Sequence, residues 1–307
     1  MSKTKRLAIL GIALLVIGTI GSFFTFQSAY QKESITEEQP IEGTFTSLNV
    51  QTDNATVKII PTDDKTSKVT LNGKQYKNRN YQFAAHVKNE KLSVKLKNNR
   101  HKLFNFDFLS PSVTLTVYIP QKQYASLDVS TGNGGININH IQSKEMNAIT
   151  SNGRINMNDL AGSALIAETD NGRINGKNLR MDKVDVQSDN GKVELRQVTG
   201  SSVKARTGNG KLMMDGVDAA IIGYTDNGRI SLVTDQLNKS IKLQSGNGKI
   251  EVQTKTNPTN TTIIANTDNG KVNVLGKYSG STVIGNGDHV VELKTDNGGI
   301  TVTKGNK

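Results

Sequence analysis

The chain has 307 residues, of which 35% are hydrophobic and 5% aromatic, with 29 Gly, 5 Pro and neither Trp nor Cys. The missing cysteines exclude disulfides, thiolate metal sites, a cysteine nucleophile and a lipidated cysteine anchor, and the composition suits aliphatic packing on many short elements better than a compact helical enzyme. The net charge of +11 is spread as +3 over 1–31, +4 over 32–120 and +4 over 121–307, unlike a nucleic-acid-binding tail, so nucleic acid is not the expected partner.

Residues 1–6 carry Lys3, Lys5 and Arg6 and no acid, and the uncharged stretch behind them is nearly all apolar or Gly from Leu7 to Phe26. About 20 such residues cross a hydrocarbon core, so 7–29 is read as a transmembrane anchor. The positive-inside rule puts 1–6 in the cytoplasm and the bulk of the chain outside, a single-pass protein of the cell membrane. The alternative is a cleaved secretory signal, but Gln27-Ser28-Ala29 places a bulky Gln where cleavage needs a small residue. Residues 30–44, polar and acidic, are expected to form a linker.

From 45 to 126 the pattern is mixed. Leu48, Val50, Thr52, Asn54, Val57 and Ile59 form a partial copy of the repeat described below, with Ala55 in place of its Gly. Differently patterned strands then follow at Lys68–Leu71, Leu92–Leu96 and Val113–Ile119. This stretch also holds Phe104, Phe106 and Phe108, on one face of an alternating segment. It is expected to cap the end of a repeat array, with the three Phe as a candidate contact surface.

Residues 127–307 repeat. Asn-Gly occurs at 133, 152, 171, 190, 209, 227, 247, 269 and 297, at spacings of 19, 19, 19, 19, 18, 20, 22 and 28. The columns six and four residues before each Asn are apolar or Gly, from Leu127 and Val129 to Val291 and Leu293, and the column two before is always Thr or Ser. The column three after is always Ile, Val or Leu. Alternation continues on both sides of the dipeptide, so each unit reads strand, corner, strand. Asn and Gly tolerate positive φ, which makes a sharp corner the natural reading. One unit cannot bury its apolar face, whereas units stacked at strand spacing bury each column on its own copies. The fold class expected is all-β: a β-solenoid of about nine 19-residue coils with an N-terminal β cap, behind one transmembrane helix. A string of hairpins has the same face parity and remains the rival. The longer spacings at the C-terminal end are expected to be loop insertions.

An alternating strand ending in Val113-Thr-Leu-Thr-Val-Tyr-Ile-Pro120, followed by Leu127-Asp-Val-Ser-Thr-Gly-Asn-Gly-Gly-Ile136 and serial Thr/Ser-x-Asn-Gly-x-Ile/Val units, resembles the "putative adhesin" β-repeat family. With its anchor and basic charge, the chain is similar to the LiaG-like envelope proteins of Gram-positive bacteria. The resemblance implies an extracytoplasmic β-solenoid linked to envelope stress or surface adhesion, and it carries over no catalytic residue.

Two positions after each Asn, the outward column reads Gly135, Arg154, Arg173, Lys192, Lys211, Arg229, Lys249, Lys271 and Gly299. Stacked cations at one edge would suit a linear anion such as an anionic wall polymer. Against this stands a solvated, self-paired edge, because Asp170, Asp189, Asp226, Asp268 and Asp296 lie one residue after the Thr/Ser column and could neutralise the cations. One acid per corner is too few for calcium, the four His are far apart, and no cofactor is expected. The outward acid pairs Asp185 with Glu194 and Asp215 with Asp218 are isolated, so a polysaccharide-active enzyme is the alternative to a non-catalytic interaction scaffold. The partner expected, besides the membrane, is an anionic wall polymer or an envelope membrane protein.

Overall fold

The computed structural model describes residues 2–29, 32–76, 79–100 and 113–305. One helix, Lys3–Ala29, is long and apolar enough to span a membrane, and no part of its span Lys3–Ser22 is covered by the rest of the chain. Only residues 30 and 31 separate it from the first strand, Lys32–Ile41.

The expectation of a linker over 30–44 is corrected here. Lys32–Ile41 pairs antiparallel with Ser67–Tyr76, from Lys32 opposite Tyr76 to Ile41 opposite Ser67. Ile35 and Ile41 are buried, while Glu33, Glu37 and Glu38 are exposed. Such a strand seats two apolar side chains and blunts an exposed sheet edge with charge, so its acidic composition reflects an edge rather than a spacer.

The repeat strands pair in parallel and in register. Leu48, Leu127, Met146, Leu165, Val184, Val203, Ile221 and Ile241 form one stacked column. On the other side of the corner, Val57, Ile136, Ile155, Ile174, Val193, Leu212, Ile230 and Ile250 form a second. Both columns are buried. Successive hairpins would pair antiparallel, so parallel register decides for a β-solenoid-like stack in which each apolar side chain packs on its own copies.

The stacking order departs from chain order at both ends. Ser47–Thr52, the first repeat strand, lies between Lys91–Arg100 and Gln123–Thr131. Likewise Thr56–Thr62 has Val113–Pro120 on one side and Ile136–Asn139 on the other. Antiparallel strands then follow outward, Arg79–Lys88 against Lys91–Arg100 and Ser67–Tyr76 against Val113–Pro120. At the far end His289–Asn297 sits between Ile241–Asn247 and Thr261–Asn269, and Thr282–Ile284 pairs antiparallel with Thr261–Asn269. The 28-residue spacing is therefore not a simple loop insertion: the chain runs to the end of the stack and returns to fill the position before it.

A second corner, which periodicity alone does not single out, follows seven residues after the Asn. His140, Asp159, Asn178 and Gln197 adopt left-handed φ of 54–56°, and Gly216 follows at 66°. His, Asp, Asn and Gly are residues that tolerate this region, and the next residues, Ile141, Leu160, Leu179, Val198 and Val217, return to the core.

Candidate functional site

The Asn-Gly corner is built from three interlocking sets of hydrogen bonds. The Thr or Ser hydroxyl accepts from the Gly amide of its own corner, as in Gly172 N to Thr169 Oγ1 at 3.0 Å, and donates to the Gly carbonyl of the preceding corner, as in Thr169 Oγ1 to Gly153 O at 3.1 Å. The Asn side chains form a continuous amide ladder, each Nδ2 donating to the preceding Oδ1 at 2.6–3.0 Å. It runs 54, 133, 152, 171, 190, 209, 227, 247, 297, 269. The order repeats the strand order, with 297 before 269.

The reason for the glycine differs from the sequence expectation. The corner glycines from Gly134 to Gly270 are not left-handed. A Cβ on Gly172 would instead fall inside contact distance of the Gly153 carbonyl, and the same clash recurs at Gly153, Gly191, Gly210, Gly228 and Gly248. Glycine is required because stacked corners approach too closely for any side chain.

This stacking projects the next-but-one residue outward. Arg154, Arg173, Lys192, Lys211, Arg229 and Lys249 occupy adjacent layers, since Ile155 N bonds Arg173 O, Ile174 N bonds Lys192 O, and so on to Ile230 N with Lys249 O. Gly299 comes next and Lys271 one layer further, so Lys271 is separated from the other six. All but Lys192 are exposed. The expected neutralisation by the Asp column does not occur. Among the described residues, Asp170, Asp189, Asp268 and Asp296 make no ion pair, and Asp226 accepts a short hydrogen bond from the Tyr224 hydroxyl. Lys192 pairs instead with Glu194 at 2.6 Å and Arg229 with Glu251 at 3.7 Å. Arg154, Arg173, Lys211, Lys249 and Lys271 have no ion-pair partner among the described residues. Phe104, Phe106 and Phe108 lie outside the described residues.

Between the two corners, the outer face of the short strands forms a groove of about 710 Å³. Its floor carries two further amide rows, Asn137–Asn156–Asn175 and Asn139–Asn158, each linked at 2.8 Å. Lys58 stands at one end, and Arg173, Lys177 and Arg196 at the other. Glu194 is the one carboxylate of the lining, bonded to Lys192 and Arg196. The hydrogen bond from Lys192, reinforced by both positive charges and outweighing burial, holds its carboxyl below the usual range. The pair of carboxyl groups used in glycoside hydrolysis is not assembled in this lining. Of the acids weighed from sequence, Asp185 pairs with Lys204 at 3.6 Å and Asp218 with Lys239 at 3.7 Å. Sequence reading missed the groove, although Asn recurring at 137, 156 and 175 with the 19-residue period was its visible signal.

The model of the family described as Toastrack DUF4097 matches residues 45–303. The chain belongs to the Toastrack family. The uncharacterized protein YvlB of Bacillus subtilis is 26% identical over 123 residues, covering 40% of this chain and 33% of that protein, so the match spans about a third of that relative's length. A solved structure described as a putative lipid binding protein from Parabacteroides distasonis is similar at TM-score 0.50 and 14% identity, over 88% of this chain and 97% of the other. One described as a putative adhesin from Bacteroides fragilis has TM-score 0.43 and 16% identity, over 89% and 98%. At these identities the likeness concerns fold alone. The Toastrack match contains the segment Val113–Ile136 that carried the family resemblance. The Toastrack match excludes Lys32–Ile41, although that strand is hydrogen-bonded into the same sheet.

Proposed function

We propose that this Toastrack protein is a non-catalytic, adhesin-like scaffold of the bacterial envelope, with its helix in the cell membrane, its N-terminus inside and its β domain outside. Its working contact is the corner ladder Arg154, Arg173, Lys192, Lys211, Arg229 and Lys249, engaging an anionic wall polymer of a Gram-positive envelope. An association with envelope stress follows from the resemblance to LiaG-like proteins. The observation that carries the reading is that Arg154, Arg173, Lys211 and Lys249 share one ladder and have no ion-pair partner among the described residues. Uncompensated charges one or two layers apart, at about 4.8 Å per layer, meet a polyanion at several points and release its counterions.

The test is binding of the full chain in detergent to isolated cell walls, with and without their anionic polymers, across a salt series. Saturable binding that needs the polymer and weakens with salt supports the ladder. Replacing Arg154, Lys211 and Lys249 by Gln should then remove most of that binding without unfolding the domain. Unchanged binding by this variant would overturn the proposal.

A further inference from the structure

The two inner amide rows are not needed by the fold. At the position of Asn137, Asn156 and Asn175, later layers carry Glu194, Met213, Ser231, Glu251 and Thr301, all in register on the same strand column. At the position of Asn139 and Asn158 they carry Lys177, Arg196, Asp215 and Val233. The corner ladder, in contrast, runs through every Asn-Gly unit. The same column holds one further Asn, Asn273 in the last layer, beside Thr301 and bonded to the Gly276 amide; Asn in consecutive inner layers is confined to those that floor the groove.

We propose that this groove binds an extended acidic oligosaccharide lying along the stack. A side-chain amide has two N–H donors and an acceptor oxygen with two lone pairs. Asn156 spends one N–H on the layer before and one lone pair on the layer after, and the amides at the row ends spend only one of the two. A donor and an acceptor therefore remain on each, half-buried and repeated every layer at about 4.8 Å. Vicinal ring hydroxyls, each both donor and acceptor, are the partners that satisfy such an array. The groove volume of about 710 Å³ falls in the ordinary range of about 300–1,000 Å³ for ligand sites. Charge sets the class of sugar. Lys58, Arg173 and Lys177 have no ion pair among the described residues, while Glu194 is compensated by Lys192 and Arg196. The lining is net positive, which favours a saccharide bearing carboxylates over a neutral one. The site shares only Arg173 with the corner ladder, so it does not rest on the function proposed above.

The experiment uses the full chain in a sugar-free detergent, titrated with oligogalacturonate, with dextran as neutral glycan and with polyphosphate as sugar-free polyanion. The main variant is Asn156→Ser with Asn175→Ser, since Ser231 occupies the same column and shows that the fold accepts it. Lys177→Gln, at an exposed position, is a second variant with no ladder bond to lose. Oligogalacturonate should bind the wild type, about tenfold more weakly the double Ser variant and several-fold more weakly the Lys177 variant, while polyphosphate binding stays constant across all three. Equal oligogalacturonate binding by wild type and both variants would overturn the proposal, as would binding of polyphosphate alone. Dextran binding as tight as oligogalacturonate would overturn the acidic class.

Discussion

Gly172→Ala isolates the reason for the corner glycine. The added Cβ would meet the Gly153 carbonyl, with its carbon at 2.6 Å and Thr169 Oγ1 at 2.7 Å. The two layers must then part locally. That weakens Thr169 Oγ1 to Gly153 O (3.1 Å), Gly172 N to Thr169 Oγ1 (3.0 Å) and Asn171 Nδ2 to Asn152 Oδ1 (2.7 Å). At about 1 kcal/mol each these lose about 3 kcal/mol, and overpacking adds about 1–3 kcal/mol. The total, about 4–6 kcal/mol, is a large share of the 5–15 kcal/mol that holds a typical domain together. Urea unfolding of the full chain in detergent, followed by circular dichroism, reads this out. Gly280→Ala is the control, because a Cβ there meets nothing and its φ is not left-handed. It should change stability by less than about 0.5 kcal/mol. If backbone conformation were the reason for the glycine, Gly172→Asn would be nearly neutral, since Asn tolerates left-handed φ. Close approach makes it at least as damaging as Ala. Gly172→Ala matching Gly280→Ala, or a neutral Gly172→Asn, would refute the steric argument.

The Asn-Gly pairs should deamidate slowly in the folded chain and much faster in urea. The Gly amides that would attack the side chain are held by hydroxyls at Thr131, Thr150, Thr169 and Ser188, and mass-spectrometric isoaspartate counts check this. Gln197→Gly should raise the melting temperature, because Gln197 sits at φ 54° at a cost of about 1–2 kcal/mol, which exceeds the entropy penalty of about 0.5–1 kcal/mol for glycine; a lower melting temperature would count against the strain. Tyr81 is 2% exposed and, among the described residues, its hydroxyl has no partner, so Tyr81→Phe should be neutral or stabilising in the same melt. Glu194 has a depressed carboxyl pKa, caused first by the Lys192 hydrogen bond. Its stabilising contribution is present above the unfolded value of about 4.3 and is lost as pH falls through the lower folded value. The stability difference between wild type and Glu194→Gln should therefore shrink on acidification below about pH 4, and a pH-independent difference would refute this account.

Much of this protein was legible in its residues because repetition makes a local pattern global. Alternation around each Asn-Gly settles which side chains face inward, and once a unit stacks on its copies the same parity determines the columns from Leu127 and from Ile136. The helix was legible for a similar reason, since an uncharged apolar stretch is a property of composition. Tertiary structure decided where neighbouring edges meet. Every unit presents nearly the same edge, so chain order alone does not show that Asn297 stacks before Asn269, or that the unit at Asn54 lies inside Lys91–Arg100 and Val113–Pro120. The same non-local contacts make Lys32–Ile41 a strand, exclude a Cβ at the corner by the carbonyl of another layer, and leave the Asp column unpaired while Glu194 and Glu251 reach Lys192 and Arg229. Each depends on distances between residues at least one full turn of the stack apart or on the directions their side chains take there, which a one-dimensional period does not contain.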